Sequence, residues 1–302
     1  MPKIAYINKG FHAKSLQQIE IANAIIAEYQ AQGFDLTLRQ LYYQMVARGY
    51  IENSLRSYKN FGSLLDDARL AGMVDWNAIV DRTRNVRANS HWETPADIIE
   101  SAHYSYRIDL WRRQPYRPEV WIEKDALTGV IGGVCATYDV PYFACRGYTS
   151  QSEMWAAAQR MLRHVRNGQT PIVLHLGDHD PSGIDMTRDI IDRLKLFVGD
   201  DIQLSRLALN WEQIEQFNPP PNPAKLTDSR VDNYIALFGE SSWELDALDP
   251  ATISGLISGT LDKLIDRTKW EKAEKRQMID KAMLSRVKNN WGEVVEFLGG
   301  EL

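Results

Sequence analysis

The first quarter of the chain carries apolar residues at helical spacing, interrupted by glycines. Apolar positions that recur every three or four residues predict helices over residues 15–32, 37–48 and 57–71, and a glycine follows each of them. The second helix has a clear start, because Thr37 and Gln40 form a capping-box pattern. The N-terminal region is therefore predicted to be helical, with short turns between its helices.

Three short helices followed by an extended segment are typical of a helix-turn-helix or winged-helix module. We assign residues 1–33 to an N-terminal helical segment and residues 34–85 to an α-rich winged-helix domain. The third helix would then be the recognition helix, and it carries Lys59 and Arg69. A plain three-helix bundle without a ligand fits the same pattern equally well.

From residue 119 the pattern changes to short apolar runs that alternate with longer helical stretches. The runs read EVWIEKDA, VPYFACR, PIVLHLG and DIQLSRLAL, and the stretches between them lie at about 125–138, 150–167 and 182–197. This alternation is typical of a parallel sheet covered by helices on both faces. The sequence thus predicts an α/β domain over residues 118–210, followed by a mostly helical extension over residues 211–302.

Two of the predicted strands end in acidic residues. Glu123 ends the first strand, and Asp178 and Asp180 follow the third strand in the segment LGDHDPSG. Ligands bind at the carboxyl ends of parallel strands, and residues two apart in an extended segment point the same way. Three converging carboxylates would repel one another unless a hard cation joined them, so we expect Mg²⁺ here, with Mn²⁺ as a substitute.

Simpler roles are open for several of these residues. Asp178 or Asp180 could cap the helix that is predicted to begin near residue 182. His175 and His179 lie four residues apart beside acids, but His175 sits within an apolar strand and is expected in the core. The glycine-rich run over residues 129–134 is not followed by Gly-Lys-Ser/Thr and lies inside a predicted helix, so no ATP site is expected.

The net charge of -5 argues weakly against a nucleic-acid partner, but the charge is unevenly distributed. One stretch, residues 82–117, interleaves arginines with aromatic residues. It contains Arg82, Arg84, Arg87, Trp92, Tyr104, Tyr106, Arg107, Trp111, Arg112, Arg113, Tyr116 and Arg117. This pattern fits either a basic surface that binds nucleic acid or a solvated charged face above core aromatics.

The two cysteines, Cys135 and Cys145, lie in apolar surroundings and outside any CxxC pair. We expect free, buried thiols in a reducing compartment and no zinc site built on cysteine. No stretch approaches the roughly 20 apolar residues that span a bilayer, and the first residues do not resemble a secretory signal. The expected location is the cytoplasm, without membrane contact.

A glutamate at one strand end and a DxD motif at another, within alternating α/β structure, resemble a Toprim domain. That domain occurs in topoisomerases, primases and the overcoming-lysogenization-defect nucleases. The segments IEKDAL and GDHDPSGIDM are most similar to the version in the A subunit of topoisomerase VI and the related meiotic double-strand-break protein. Upstream, TLRQLYYQ resembles that family's winged-helix motif, whose last tyrosine cleaves DNA. The matching residue here is Tyr43, with Arg39 near it, and the resemblance covers about residues 37–209.

The resemblance implies Mg²⁺-dependent cleavage of double-stranded DNA by a homodimer, through a 5′ phosphotyrosyl link. Tyr43 of one subunit would meet the metal of the other, which Glu123, Asp178 and Asp180 hold in the Toprim domain. Residues 86–117 would link the two domains. The candidate phosphate contacts are Arg48, Arg56, Lys59, Arg69, Lys124 and Arg146.

The chain also departs from topoisomerase VI. That enzyme needs a separate GHKL-type ATPase subunit, whereas this chain carries no ATP motif and little before the winged helix that could dock a partner. The segment SSWELDALDPATISGLI adds Glu244 and Asp246, a pattern typical of bacterial and phage proteins of this architecture. ATP-driven strand passage is therefore in doubt.

Three other functions stay open at this point. The chain could be a metal-dependent nuclease that uses water, with Tyr43 as a bystander. It could be a DNA-binding or regulatory protein that keeps the Toprim domain only as a scaffold. A weaker alternative is a primase-like or RNA-processing Toprim protein.

Overall fold

The structure is a computed structural model that describes residues 3–79, 89–224, 228 and 230–299. Arg82, Arg84 and Arg87, together with the end of the predicted winged-helix domain, lie outside the described residues. Among the described residues, no helix is long and apolar enough to cross a membrane.

The N-terminal region is helical, as the sequence predicts. Helices α1 (Ala13–Ala31), α2 (Leu38–Ala47) and α3 (Leu55–Leu70) pack around one apolar core. The predicted capping box at Thr37 is present, since its hydroxyl accepts from the Gln40 amide and the Gln40 side chain accepts from the Thr37 amide. In the described part of residues 34–79, β structure is limited to two single bridges, so no wing hairpin is seen there.

The centre of the molecule is a four-stranded parallel sheet. The strands are β1 (Tyr116–Ile122), β2 (Tyr142–Ala144), β3 (Thr170–Leu176) and β4 (Gln203–Ala208), in the spatial order β2-β1-β3-β4. Three helices alternate with them: α5 (Thr128–Thr137), α6 (Gln151–Arg166) and α7 (Pro181–Val198). The predicted α/β class is confirmed, and the glycine-rich run 129–134 lies inside α5 as expected.

Both faces of this sheet are buried, which explains why its strands read as continuous apolar runs. Trp121 and Val173 point to the face covered by α6 and α7. The alternate positions, such as Ile122 and Leu174, join a second core that the C-terminal helices complete. The two cysteines are free thiols buried on these faces, and burial raises the pKa of each thiol to about 12.

The C-terminal third is mostly helical. It comprises α8 (Trp211–Phe217), α9 (Val231–Phe238), α10 (Pro250–Leu264), α11 (Arg267–Asn289), α12 (Trp291–Phe297) and an antiparallel pair of two-residue strands, β5 (Asn222–Pro223) and β6 (Ser241–Ser242). Within the predicted linker, residues 95–105 form helix α4 (Pro95–Ser105), which packs along α11. This stretch is therefore part of the folded body rather than an extended connection.

Candidate active site

The site is built where β1 and β3 end side by side. The register pairs Ile122 with Leu176, so the next residues of both strands leave the same edge of the sheet. The Glu123 amide continues the ladder by donating to the Leu176 carbonyl at 2.8 Å. The Glu123 carboxylate in turn accepts from the Asp178 amide at 2.9 Å. The structure thus brings together the two strand ends that the sequence singled out.

Asp178 and Asp180 differ in what holds them. Asp180 caps helix α7, because its Oδ1 accepts from the Gly183 amide at 2.6 Å and from the Ser182 hydroxyl at 2.9 Å. Asp178 caps no helix. Its Oδ1 accepts from the Leu245 amide at 2.8 Å, and its Oδ2 lies 2.9 Å from the Lys124 ammonium. The capping alternative therefore holds for one acid of the pair, which leaves the other for a different role.

Lys124 is the central counter-ion of the acids. Besides Asp178, its ammonium lies 3.0 Å from Glu244 Oε2 and 3.5 Å from Asp246 Oδ1. Burial alone would lower the pKa of Lys124, but these three carboxylates outweigh that effect and raise it above its ordinary value. The ammonium is thus held in its charged form within the cluster and is not free for the predicted phosphate contact.

A C-terminal segment that sequence reasoning left without a role completes the cluster. His179 and Trp243 pair through their backbones, at 2.8 and 2.9 Å, and this bridge carries residues 243–247 to the end of β3. The His179 ring is buried among aromatic rings, those of Trp211, Tyr234, Phe238 and Trp243. The same bridge delivers Glu244 and Asp246. The acidic pattern was visible in the sequence, but nothing in it indicated the pairing with His179.

Arg206 shapes the loop that carries the acids. Its guanidinium donates to the carbonyls of Gly177 and Asp178 at 3.1 and 2.6 Å, and to the Gly183 carbonyl at 2.9 Å. Burial lowers the pKa of Arg206 to about 10, although the nearby acids oppose the shift. These bonds fix the turn between β3 and α7, so Arg206 positions Asp178 through the backbone of this turn.

Helix α2 brings Arg39 and Tyr43 to the same place. The Arg39 guanidinium bonds Glu244 and lies 3.2 Å from Asp246 Oδ2, while its centre lies 6.0 Å from the Tyr43 ring centroid. Helix α2 is therefore tied to the acids by charge.

A cavity of about 240 Å³ opens between α2, the strand ends and the β5–β6 strand pair. Its lining includes Arg39, Tyr43, Asp178, Asp180, Asn222 and Glu244. We call this cavity, with the acids Glu123 and Asp246 behind it, the acidic cleft. Tyr43 and the DxD acids line it within a single chain, whereas the resemblance implied that they come from two subunits.

Tyr43 and its neighbour Tyr42 have different surroundings. The Tyr42 hydroxyl accepts from the Ser54 amide at 2.9 Å and lies 3.2 Å from the Glu52 carbonyl, so it fixes the turn before α3. The Tyr43 hydroxyl accepts a longer bond from the Asn222 amide group at 3.3 Å. Burial raises the pKa of Tyr43, and the bond from Asn222 and the charge of Arg39 oppose this only in part. The Tyr43 hydroxyl is therefore held by a longer hydrogen bond than the Tyr42 hydroxyl.

The remaining predicted phosphate contacts lie in varied surroundings. Arg56 and Lys59 are exposed on α3, and Arg146 is exposed beside Asp125 at 3.1 Å. Arg48 pairs with Glu28 through two bonds of 2.8 and 2.9 Å. Arg69 donates to the Trp76 carbonyl at 2.7 Å and stacks on that ring, which ties it to the fold.

The cluster has more acidic than basic side chains, so its net charge could accommodate a further cation. Five acids (Glu123, Asp178, Asp180, Glu244 and Asp246) face three cations (Lys124, Arg39 and Arg206), an excess of two negative charges when all are ionised. Burial and then the charge of Asp178 raise the pKa of Glu123 to about 7. Asp246 Oδ1 is buried, and the Lys124 ammonium at 3.5 Å is its long-range partner.

These are oxygen ligands of the kind that Mg²⁺ prefers. Their chemistry and charge fit the ion. Their present spacing does not, since no three histidine, cysteine or acidic side chains among the described residues converge as a metal-binding group.

His175 is a core residue, as expected. It is fully buried, and its Nδ1 lies 2.9 Å from the Thr187 hydroxyl. Burial lowers its pKa to about 3, and lowers that of His179 to about 4. Both imidazoles are therefore neutral at physiological pH.

Comparison with known proteins identifies no relative of this chain. A scan against protein-family models and a search of curated proteins found no match to this chain. What the structure defines is an α/β protein with a four-stranded parallel sheet and an acidic cleft at the carboxyl end of its strands.

Proposed function

We propose that this chain is a cytoplasmic Mg²⁺-dependent DNA-cleaving protein of the Toprim and winged-helix type, similar to the A subunit of topoisomerase VI. The observation that supports the proposal is the shared cleft: the Tyr43 phenol, Arg39, Asp178 and Asp180 line one cavity. A nucleophile, a cation and a cluster of carboxylates are the groups that phosphodiester transesterification requires.

The chemistry proposed for Tyr43 is a transesterification. The phenol loses its proton, its oxygen forms a bond to phosphorus, and the bond from phosphorus to the sugar oxygen breaks. The released alkoxide takes up a proton, which leaves a phosphotyrosyl link and a free hydroxyl that can reseal the break. Arg39 lies near the phenol ring and stabilises negative charge on the phenolate and the phosphate.

The metal would be held by Glu123, Asp178 and Asp180. When bound, Mg²⁺ supplies electrostatic stabilisation of the charged phosphate. Arg206 and the Leu245 amide keep Asp178 in place by their bonds to its carbonyl and carboxylate. A homodimer and a partner GHKL-type ATPase remain part of the proposal.

The test is incubation with supercoiled plasmid and Mg²⁺, followed by denaturation and a search for protein covalently attached to DNA ends. Wild type should yield attached protein, whereas Tyr43→Phe and Asp178→Asn should yield none. Tyr42→Phe is the matched control, because it removes a neighbouring hydroxyl that is bonded to the turn before α3. Attached protein in Tyr43→Phe would refute the role of this tyrosine.

A metal-dependent nuclease that uses water is the second candidate. The raised pKa of the buried Tyr43 phenol favours it, since a phenol that holds its proton is a poor nucleophile. In the same plasmid experiment this candidate predicts nicked or linear DNA without attached protein. It also predicts that Tyr43→Phe cuts at the parental rate.

A non-catalytic DNA-binding protein is the third candidate. It is favoured by the position of Lys124, whose ammonium already neutralises Asp178, Glu244 and Asp246. This candidate predicts normal duplex binding and no cleavage with either Mg²⁺ or Mn²⁺. Preferential binding of structured RNA over DNA would instead indicate an RNA-processing protein.

A further inference from the structure

A second, larger cavity lies away from the acidic cleft, between helix α11 and residues 106–113. Its volume is about 830 Å³. Its basic lining consists of Arg112, Arg113, Lys269, Lys272, Lys275 and Arg276, and its acidic lining of Asp109 and Asp280. We call this cavity the basic groove. Residues 106–113 of the basic groove lie before the start of β1, and the acidic cleft lies at the end of β1. The seven residues of this strand span roughly 23 Å.

The two acids of the basic groove are already neutralised. Asp109 accepts two bonds from Arg117, at 2.6 and 2.7 Å. Asp280 accepts from Arg276 at 3.1 Å and from the Tyr106 hydroxyl at 2.9 Å. These acids therefore cancel little of the charge of the other cations.

Four cations of the basic groove have no acidic partner among the described residues. Arg112, Arg113, Lys272 and Lys275 are exposed and form no ion pair with any residue that the structure describes. Elsewhere among the described residues, exposed cations are either paired, such as Arg188, or lie apart without an ion pair, such as Lys14, so the groove is distinguished by the clustering of its cations. Four unpaired cations around one concave surface in a chain of net charge -5 indicate a polyanionic ligand.

The walls of the basic groove are fixed before any ligand binds. The Ile108 amide donates to the Gln277 side chain at 2.8 Å, and Gln114 exchanges two bonds with the backbone of Asp266, at 2.8 and 3.1 Å. The Trp111 and Trp270 rings pack edge to face with centroids 5.5 Å apart. A preformed surface loses little conformational freedom on binding.

Three cations of the groove follow one another along α11. Lys269, Lys272 and Lys275 lie at three-residue intervals, which is a rise of about 4.5 Å each, and Lys269 is also paired with Asp266 at 3.2 Å. Cations along one helix can neutralise successive phosphates of a nucleic-acid backbone. Tyr106 is the aromatic side chain of the lining, and its hydroxyl is bound to Asp280. The surface thus offers charge rather than groups that read bases.

We propose that the basic groove binds the phosphate backbone of duplex DNA, independently of sequence, as a contact separate from the acidic cleft. This inference rests on the proposed function for the choice of DNA as the polyanion. It assigns a role to Arg112 and Arg113, which the basic and aromatic stretch of the sequence left undecided, and to α11.

The test measures binding of a fluorescently labelled 30-base-pair duplex by the full chain in EDTA, over a series of salt concentrations. Lys272→Glu/Lys275→Glu should weaken binding at least tenfold at low salt. It should also make the slope of the logarithm of the binding constant against the logarithm of the salt concentration less steep, by the equivalent of about two phosphate contacts. Arg112→Glu/Arg113→Glu, on the opposite wall, should do the same. The matched control is Lys14→Glu/Lys195→Glu, which makes the same change of charge on exposed lysines outside the groove and should bind like wild type.

The outcomes separate this inference from the proposed function. If the groove variants bind duplex like wild type, the inference is wrong while the cleavage proposal stands. If they lose only binding of polyglutamate, the groove serves an acidic protein and the inference is also wrong. If wild type binds duplex through the groove in EDTA but never cleaves plasmid with metal, the inference stands and the cleavage proposal fails. No duplex binding by wild type in EDTA would overturn the inference, and the plasmid experiment with Mg²⁺ would then decide the cleavage proposal separately.

Discussion

The acidic cleft and the basic groove hold their charges in opposite ways. In the cleft, Lys124 contacts three carboxylates and Asp178 is almost fully buried, at 7% exposed. In the groove, Lys272 and Lys275 are exposed and unpaired among the described residues. Pairing and burial, rather than the number of charges, therefore show which charged side chains the fold itself depends on.

This difference has an energetic consequence. A buried charge that loses its partner keeps the full cost of desolvation, so each member of the cleft network is coupled to the others. An exposed charge without a partner is hydrated in the free protein and contributes little to folding. The two regions should therefore respond to substitution in opposite ways, through stability in the cleft and through ligand binding in the groove.

The largest expected effect is that of removing the central cation of the cleft. Lys124→Met leaves Asp178, Glu244 and Asp246 without their shared counter-ion and should lower the free energy of unfolding by about 3–5 kcal/mol. Urea denaturation at neutral pH measures the change. Lys272→Met in the groove is the control and should change stability by less than about 0.5 kcal/mol. Equal losses of stability from the two substitutions would contradict the conclusion that the fold depends on the charges of the cleft and not on those of the groove.

The same variant also tests the metal. If the acids bind a divalent cation, Mg²⁺ or Mn²⁺ should raise the melting temperature of Lys124→Met more than that of wild type. The reason is that the missing ammonium leaves more uncompensated negative charge. A metal-independent melting temperature in both proteins would favour the scaffold alternative, in which Lys124 takes the place of a metal.

Low pH should weaken the cleft side of the molecule. Because the pKa of buried His175 is about 3 in the folded chain and about 6.5 when unfolded, only the unfolded chain takes up a proton between these values. Stability from neutral His175 is complete above pH 6.5 and falls as the pH drops, by about 1.4 kcal/mol per pH unit. His179, with a pKa of about 4, adds a contribution of the same sign.

Glu123 should have the opposite effect on the free energy of unfolding as the pH falls. Substitutions of the histidine and of the glutamate should therefore change the pH dependence in opposite directions. The raised Glu123 pKa of about 7 means that the folded chain binds a proton which the unfolded chain releases above about 4.5. Its contribution therefore grows as the pH falls from 7 to 4.5. Urea denaturation between pH 7 and pH 5 should show a shallower slope for His179→Gln and a steeper one for Glu123→Gln, relative to wild type. Identical slopes would contradict both assignments.

A smaller effect separates the two adjacent tyrosines at the rim of the cleft. Tyr42→Phe removes the 2.9 Å acceptor of the Ser54 amide, which keeps its 3.1 Å bond to the Glu52 carbonyl, together with the bonds that the hydroxyl donates to this turn. It should cost about 1 kcal/mol of stability. Tyr43→Phe loses the 3.3 Å bond from Asn222 and the interaction of the hydroxyl with Arg39, and should cost less than about 1 kcal/mol. Thermal denaturation of both variants checks the order. If Tyr43→Phe proves the more damaging, Tyr43 serves the fold rather than the chemistry.

The smallest expected effect is that of neutralising the groove. Lys272→Ala/Lys275→Ala should leave the free energy of unfolding within about 0.5 kcal/mol of wild type, since neither ammonium has an acidic partner among the described residues. Urea denaturation measures it, and circular dichroism confirms that the helix content is unchanged. A loss above about 2 kcal/mol would mean that these lysines support α11 and are not held for a ligand.

Local pattern was enough to predict the first three helices, the four strands of the sheet and the class of fold. Helical spacing and a capping box predicted α1 to α3, and apolar runs bounded by turns predicted β1 to β4. These signals depend on residues close together in the chain, so they survive without knowledge of tertiary contacts. The β5–β6 strand pair was not predicted because two residues per strand carry no periodic signal.

The acids at the ends of β1 and β3 were also within reach of the sequence, because a parallel sheet brings its strand ends to one edge. Their partners were not. The contacts of Lys124 with Glu244 and Asp246 span more than a hundred residues, and they depend on the backbone bridge between His179 and Trp243. The sequence by itself determined which residues carry charge and on which elements they lie. Only the tertiary structure decided which charges neutralise one another, because ion pairing depends on distances of a few ångströms that sequence separation does not encode.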